Sequence, residues 1–227
     1  MPEPLHLTWI CPTWNRPTLL AGLVRQFLAQ DYPATRRELL ILCDSGQFDT
    51  QAGDGWQLIA IPRRFHSLPA KYNALLGLVG QHSDAVVIAE DDDLYSPLHS
   101  AACNAALQQH DFAKPSSVLM TYRGLTSPRE SRGRFHASLA MHAPWLRSLG
   151  GWPLTSAPNF DKQFMSRLCD RNRVAGDPIA LGYPPTYTYV WDGVGGHGSA
   201  FRAHGDNWYD RAAEAAGKVP QLGKLVI

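Results

Sequence analysis

The sequence predicts an α/β domain with a mostly parallel central sheet and helices on both faces. Short apolar runs alternate with longer segments of helical periodicity through the first ~95 residues. The runs are apolar on consecutive positions, as in strands covered on both faces. Acidic residues follow two of the runs directly, where open parallel sheets bind their ligands.

Residues 5–11 form the first run, and Pro12 is expected to end it. Residues 18–30 carry Leu19, Leu20, Leu23, Val24, Phe27 and Leu28 at helical spacing. Pro17 stands where the first turn of a helix tolerates proline. Residues 38–43 and 57–61 are the second and third runs. Residues 69–79 read as a helix with Leu75, Leu76 and Val79 on one side. Residues 85–89 are the fourth run, which stops at Glu90, Asp91, Asp92 and Asp93. The second half is less regular. Residues 96–109 are expected as a helix capped by Ser96, with Pro97 in its first turn. Residues 118–122, 135–141 and 186–191 are expected as strands, and 144–149 and 161–169 as short helices. A glycine-rich loop over 193–198 and a polar tail follow.

The 227 residues are 44% hydrophobic and 18% charged, which suits one folded domain. Twenty-one basic and 20 acidic residues leave a net charge of +1, so there is no general attraction to nucleic acid or anionic membrane. Cys11, Cys43, Cys103 and Cys169 show neither zinc-ribbon nor redox spacing. Cys11 and Cys43 read as buried free thiols in a reducing compartment. The first residues do not resemble a signal peptide, and no apolar run reaches the ~20 residues that cross a bilayer. The expectation is a soluble, cytoplasmic protein without a transmembrane segment.

Four adjacent acids after a buried strand repel one another and resist burial. A solvated loop would account for an ordinary acidic run. At the carboxyl end of a buried strand, a hard divalent cation is the better account. Mg²⁺ and Mn²⁺ prefer oxygen donors and are often shared between carboxylates and substrate phosphates.

Several segments, in order, resemble the family 2 glycosyltransferases of the GT-A fold. Ile10-Cys11-Pro12-Thr13-Trp14-Asn15-Arg16-Pro17 resembles the opening strand and loop. Leu39 to Gly46 resembles the second strand, with Asp44 at the nucleotide. The segment from Pro69 to Leu76, with Lys71 and Asn73, resembles the helix before the metal motif. Glu90-Asp91-Asp92-Asp93, with Pro97 four residues on, resembles that motif. Gly150-Gly151-Trp152-Pro153 resembles the turn before the acceptor region. Asp161, with Arg167 and Leu168, resembles the later acid motif. The resemblance covers about residues 7–170. It implies one GT-A-like domain over 1–227. Residues 1–125 would form the nucleotide-sugar half, 126–195 the acceptor half, and 196–227 a loop and tail.

The resemblance implies a metal-dependent transferase using a nucleotide-diphosphate sugar, with UDP the commonest nucleotide, Mn²⁺ or Mg²⁺ as cofactor, and inversion at the sugar carbon. Asp92 is expected at the metal, with Glu90, Asp93 and His197 as further candidate ligands. Pro12, Thr13, Arg16, Asp44, Lys71, Asn73 and Asp91 are the candidates for binding the donor. Asp161 is the candidate general base, since an acceptor hydroxyl is a poor nucleophile until its proton is taken. Glu90 stands where the family more often has Asp, and Phe160 where it commonly has Glu. The competing explanations are local: Asp44 as a turn residue before Ser45-Gly46, Asp161 as an ordinary helix-start acid, and His197 as a plain loop histidine. Trp152 and Trp191 are candidates to stack on a sugar or base; His136 and His142 read as structural.

Two rival functions remain at this level: a nucleotidyltransferase and a non-catalytic nucleotide-sugar-binding relative. The first would want a glycine-rich basic loop after the first strand, and residues 12–17 contain no glycine. The acceptor is a hydroxyl on a glycan, a small molecule or another carrier. A modified DNA base belongs to the same class and would need a basic groove; Arg123, Arg129, Arg132 and Arg134 give a modest basic stretch, for which a solvated loop is the better account.

Overall fold

The structure, a computed structural model, describes residues 2–122, 125–131, 134–155, 159–169 and 174–191. The first half runs β1 (Leu7–Thr13), α1 (Pro17–Leu28), β2 (Arg37–Cys43), β3 (Gln51–Gly53), β4 (Trp56–Ala60), α2 (Leu68–Leu78) and β5 (Ala85–Ile88). It continues through β6 (Leu94–Tyr95), α3 (His99–Leu107), β7 (Phe112–Ala113), β8 (Ser117–Tyr122) and β9 (Leu125–Glu130). β10 (Ala140–His142), α4 (Ala143–Ser148), α5 (Phe160–Cys169) and β11 (Tyr187–Trp191) follow.

Among the described residues, seven strands form one sheet in the order β3-β4-β2-β1-β5-β10-β7. β4, β2, β1 and β5 are mutually parallel, while β3 and β10 run antiparallel to their neighbours. The chain moves outward from β1 to β2 and β4, then α2 carries it back to β5 on the other side of β1. The strand order therefore reverses between β1 and β5, and a crevice at their carboxyl ends is the binding position such sheets provide. The apolar runs sit where expected because they are covered on both faces: Leu7, Trp9, Ile10, Leu39, Ile41, Val86, Val87 and Ile88 are all fully buried. α1 lays Leu20, Leu23, Val24 and Phe27 against this sheet, each such side chain contributing about 1.5–3 kcal/mol of transfer free energy.

Several boundaries differ from expectation for identifiable reasons. β1 continues through Pro12 to Thr13. The β5 ladder stops at Ile10, so Pro12 lies where one side of β1 no longer needs donors. Helix α3 begins at His99, with Leu98 at its N-cap position. Ser96 is not its cap; its backbone N–H donates to the Thr186 carbonyl at 2.8 Å. Residues 135–141 do not form one strand. Phe135 takes φ 62°, a 3-10 turn over His136–Ser138 follows, and only Ala140–His142 pairs as strand. A second sheet of β6, β11, β8 and β9, in that order, lies beyond the acids.

His99 supplies a pH test of this core. It is fully buried, edge-on to Trp9 and Tyr95, with Nδ1 at 2.9 Å from the Thr186 hydroxyl. Burial pushes its pKa down from 6.5 to about 3. A lowered histidine pKa means the unfolded chain takes up a proton that the folded chain refuses. The stability is present above 6.5 and lost as pH falls toward about 3. Linkage gives a loss of ~2 kcal/mol between about pH 6.5 and pH 5. Urea unfolding at those two pH values is expected to show this slope, and His99→Gln to flatten it. An equal slope in the variant would assign the acid sensitivity elsewhere.

Candidate active site

The four acids begin one residue past β5 and face the end of β1, and they are held from several elements. Thr13, the last residue of β1, donates its hydroxyl to Asp91 Oδ2 at 2.5 Å. Arg16, at the N-cap position of α1, reaches back with Nη1 to Asp91 Oδ1 at 2.9 Å and Asp92 Oδ2 at 2.8 Å. The loop between them turns at Asn15, whose φ of 54° is left-handed, a conformation asparagine tolerates better than most residues. Burial alone would lower the Arg16 pKa, but the two carboxylates outweigh it and hold the guanidinium charged.

Glu90 is held from the other side. Tyr72, on α2, donates its hydroxyl to Glu90 Oε1 at 3.1 Å, and the Glu90 backbone N–H donates to the Tyr95 hydroxyl at 2.9 Å. His136 Nδ1 stands 3.8 Å from the same Oε1. The Trp152 indole N–H donates to His136 Nε2 at 2.7 Å. An indole can only donate, so Nε2 is the acceptor and the imidazole proton sits on Nδ1, facing Glu90. Tyr72, Trp152, Phe160 and Phe164 enclose the imidazole edge-to-face.

Asp93 is the most buried acid. Tyr187 of β11 donates its hydroxyl to Oδ2 at 2.5 Å, and the Val190 N–H donates to Oδ1 at 3.0 Å. Burial pushes the Asp93 carboxyl well above the usual carboxylate range, and the charges of Asp92 and Glu90 add to the effect. Burial likewise raises the phenols of Tyr72, Tyr95 and Tyr187, with the neighbouring carboxylates adding to it, so all three stay protonated donors. Carboxylate oxygens of Glu90, Asp92 and Asp93 lie within 4.8 Å of one another. Three hard oxygen donors at that spacing, one raised in pKa partly by the other two, fit a hard divalent cation of the Mg²⁺ or Mn²⁺ type. Glu90 and Asp92 keep some solvent access, with 28% and 12% of their side chains exposed.

The remaining candidates divide. Asp44 follows β2 and pairs through Oδ1 with Lys71 Nζ at 2.5 Å, while Oδ2 accepts from the Phe65 N–H at 2.9 Å. Lys71 Nζ also donates to the Thr13 carbonyl at 2.5 Å, tying the ends of β1 and β2 together. Pro12 lies in β1 next to this group. Asn73 turns away from the acids and clamps the Gly150-Gly151-Trp152 turn: its Oδ1 accepts from the Trp152 N–H at 2.7 Å and its Nδ2 donates to the Trp152 carbonyl at 2.8 Å. Gly151 has φ 68°, and a Cβ there would lie 2.3 Å from Asn73 Oδ1. Asp161 is half-buried in the first turn of α5, next to Phe160, whose ring packs on Tyr72 and His136. Trp152 is 1% exposed and stacked between Tyr72 and Phe164 at 4.8 Å each, so it is a core pillar and offers no face to a sugar. His197, Arg123 and Arg132 lie outside the described residues.

The groups that hold Glu90 and Asp93 are not singled out by the sequence: Tyr72, Tyr95 and Tyr187 carry no role there, and His136 reads as structural. No helix among the described residues is long and apolar enough to cross a membrane.

No family model matches the sequence, and no curated protein matches it either. Solved structures do match in three dimensions. A fragment of S. aureus TarS, residues 1–349, in complex with UDP-GlcNAc superposes with a TM-score of 0.60 at 15% identity, covering 86% of this chain and 61% of that one. Another crystal structure of the same fragment gives 0.57 at 15% identity, covering 82% of this chain and 60% of that one. The mannosyltransferase PcManGT from Pyrobaculum calidifontis, in complex with GDP-Man and Mn²⁺, gives 0.57 at 17% identity, covering 98% and 77%. The chain thus spans about 60% of the TarS fragments it resembles. At these identities the likeness is one of fold, and the fold is the GT-A arrangement: a mostly parallel sheet with helices around it and an acid cluster beyond the strand beside β1.

Proposed function

We propose that this chain is a metal-dependent glycosyltransferase that moves a sugar from a nucleotide-diphosphate donor to an acceptor hydroxyl, with inversion. The observation that carries the proposal is the acid cluster at the β1–β5 switch point, with three carboxylates within 4.8 Å on a GT-A sheet. The sugar nucleotides bound by TarS and PcManGT, and the Mn²⁺ bound by the latter, support the same donor class and UDP or GDP as the first nucleotides to try. Glu90 and Asp92 would hold the cation, with Asp93 behind them. When bound, Mn²⁺ or Mg²⁺ neutralises charge on the departing diphosphate.

The chain's own residues prepare this site before any ligand arrives. Arg16 and Thr13 fix Asp91 and Asp92, and the protonated phenols of Tyr72 and Tyr187 hold Glu90 and Asp93. Fixed donors of this kind spare the site from reorganising during the reaction. Arg16 would stand as a cation beside the diphosphate, and the Asp44–Lys71 pair would border the nucleotide. Asp161 would take the proton of the acceptor hydroxyl as it attacks. The acceptor this chemistry fits is a hydroxyl, on a glycan, a small molecule or another carrier.

The test is a thermal-shift panel of UDP, GDP, CMP and TDP sugars, each with Mn²⁺, Mg²⁺ or EDTA. A ligand that binds only the folded chain raises the midpoint by mass action. A shift with one nucleotide that EDTA removes is expected; no shift with any of them would remove the transferase reading. Asp161→Asn should then keep donor affinity while turnover falls by about 10²–10⁴-fold. An active variant would exclude Asp161 as the base.

A further inference from the structure

The amino ends of the parallel strands, opposite the acids, carry a second cluster of residues of the types that ligate metals. His6 immediately precedes β1, Glu38 is the second residue of β2, and His82 lies in the turn before β5. One ligand atom from each lies within 4.8 Å of the other two. His82 Nε2 is 3.4 Å from Glu38 Oε1. A tetrahedral ion with bonds of about 2.0–2.1 Å holds its donors about 3.3–3.4 Å apart, so this pair already has the spacing of one edge of a zinc site.

The surroundings are built for the same purpose. His6 Nδ1 is buried and has no hydrogen-bond partner in the protein, an arrangement that costs free energy unless something else satisfies the nitrogen. The Thr8 hydroxyl donates to Glu38 Oε1 at 2.6 Å and lies 2.7 Å from the Ser83 hydroxyl, which orients the carboxylate. Such outer partners are the usual support of a metal ligand. Gly80 makes room for the His82 ring: a Cβ there would lie 2.3 Å from Cε1 and 2.4 Å from Nδ1. The two imidazoles meet edge to face, with centroids 4.6 Å apart. A simple His82–Glu38 ion pair would explain one contact and leave His6 Nδ1 orphaned.

We propose that His6, Glu38 and His82 form a divalent transition-metal site, separate from the acid cluster, that takes Zn²⁺ with water in the fourth position. Two imidazoles and one carboxylate are a donor set that zinc accepts, whereas Mg²⁺ and Mn²⁺ favour all-oxygen sites such as the acids. His82 is 59% exposed at its side chain, so an ion enters from solvent. The bound ion links the start of β1, the start of β2 and the turn before β5, and so fastens the end of the sheet opposite the acids.

The experiment is calorimetric titration of ZnCl₂ into the full chain after chelator treatment and dialysis. Two controls accompany it: Glu90→Gln with Asp92→Asn, which disables the acid cluster, and His82→Ala, whose exposed side chain leaves the core intact. Zinc binding that survives in the first and is lost in the second is expected, with Thr8→Val weakening it by about 10–100-fold. Glu38→Gln repeats the test from a second strand. Cobalt in the same position should give the strong visible bands of a four-coordinate ion. Zinc affinity unchanged by both His82→Ala and Glu38→Gln, or abolished by the acid-cluster variant, would overturn the proposal. So would a pale, six-coordinate cobalt spectrum.

Discussion

Asp92→Ala is expected to abolish the Mn²⁺-dependent stabilisation of the chain by its donor while leaving the fold intact. In the wild type, donor and Mn²⁺ at about 100 times the dissociation constant should add ~2.7 kcal/mol; in the variant that increment should vanish. The fold survives because Asp92 is a liability to it without a cation. Arg16 loses one carboxylate but keeps Asp91. Asp93, raised first by burial and next by the Asp92 charge, becomes easier to ionise. A raised carboxylate pKa costs stability as pH rises through the folded value, so removing Asp92 should make the metal-free chain equally or more stable at neutral pH. Differential scanning fluorimetry with Mn²⁺ and with EDTA separates the two effects. A donor shift retained in Asp92→Ala would remove the metal assignment, and a collapsed midpoint in EDTA would mean that Asp92 is architectural.

The first half of the fold was legible because its signals are local. Strands β2 and β5 are apolar at every buried position and β1 at all but Thr8 and Thr13, and the acids announce where β5 ends. What supports those acids was not legible. Tyr187 meets Asp93 across 94 residues and His136 is 46 residues beyond Glu90. A tyrosine that will donate to a buried carboxylate has the same local pattern as one that merely packs. His136 sits in a 3-10 turn where a strand was expected, because Phe135 takes a left-handed backbone that the apolar pattern does not encode. Trp152 illustrates the reverse error. A tryptophan after two glycines suggests a sugar platform, yet both its faces are covered and its indole N–H fixes the tautomer of His136.

The acids are therefore held by chemically different partners, and this matters for function. A single basic residue facing all four would compete with a cation. Instead one guanidinium serves Asp91 and Asp92, while neutral hydroxyls serve Glu90 and Asp93. Neutral donors orient a carboxylate without cancelling its charge, which leaves negative potential available at the crevice.

Lys71→Met is expected to destabilise the chain by about 3–5 kcal/mol, which for a chain of this length lowers the midpoint by on the order of 10 °C. The Lys71 ammonium and the Asp44 carboxylate are each 5% exposed at the side chain. Removing the cation leaves Asp44 its bond from the Phe65 N–H but no counter-ion, and the Thr13 carbonyl without its lysine. The cost is that of a buried charge without its counter-ion, which exceeds what the intact pair contributes. Adding Asp44→Asn removes the stranded charge, keeps an oxygen for the Phe65 N–H, and should recover most of the loss. Urea unfolding of the two single variants and the double variant closes the cycle. A cost below about 1 kcal/mol for Lys71→Met would mean that solvent screens the pair and both groups are free to serve a ligand. The double variant then separates architecture from recognition. If it regains stability but not the donor-induced shift, the Asp44 charge contacts the nucleotide. If it regains both, the pair exists to hold the ends of β1 and β2 together, and nucleotide recognition rests with Thr13 and Arg16.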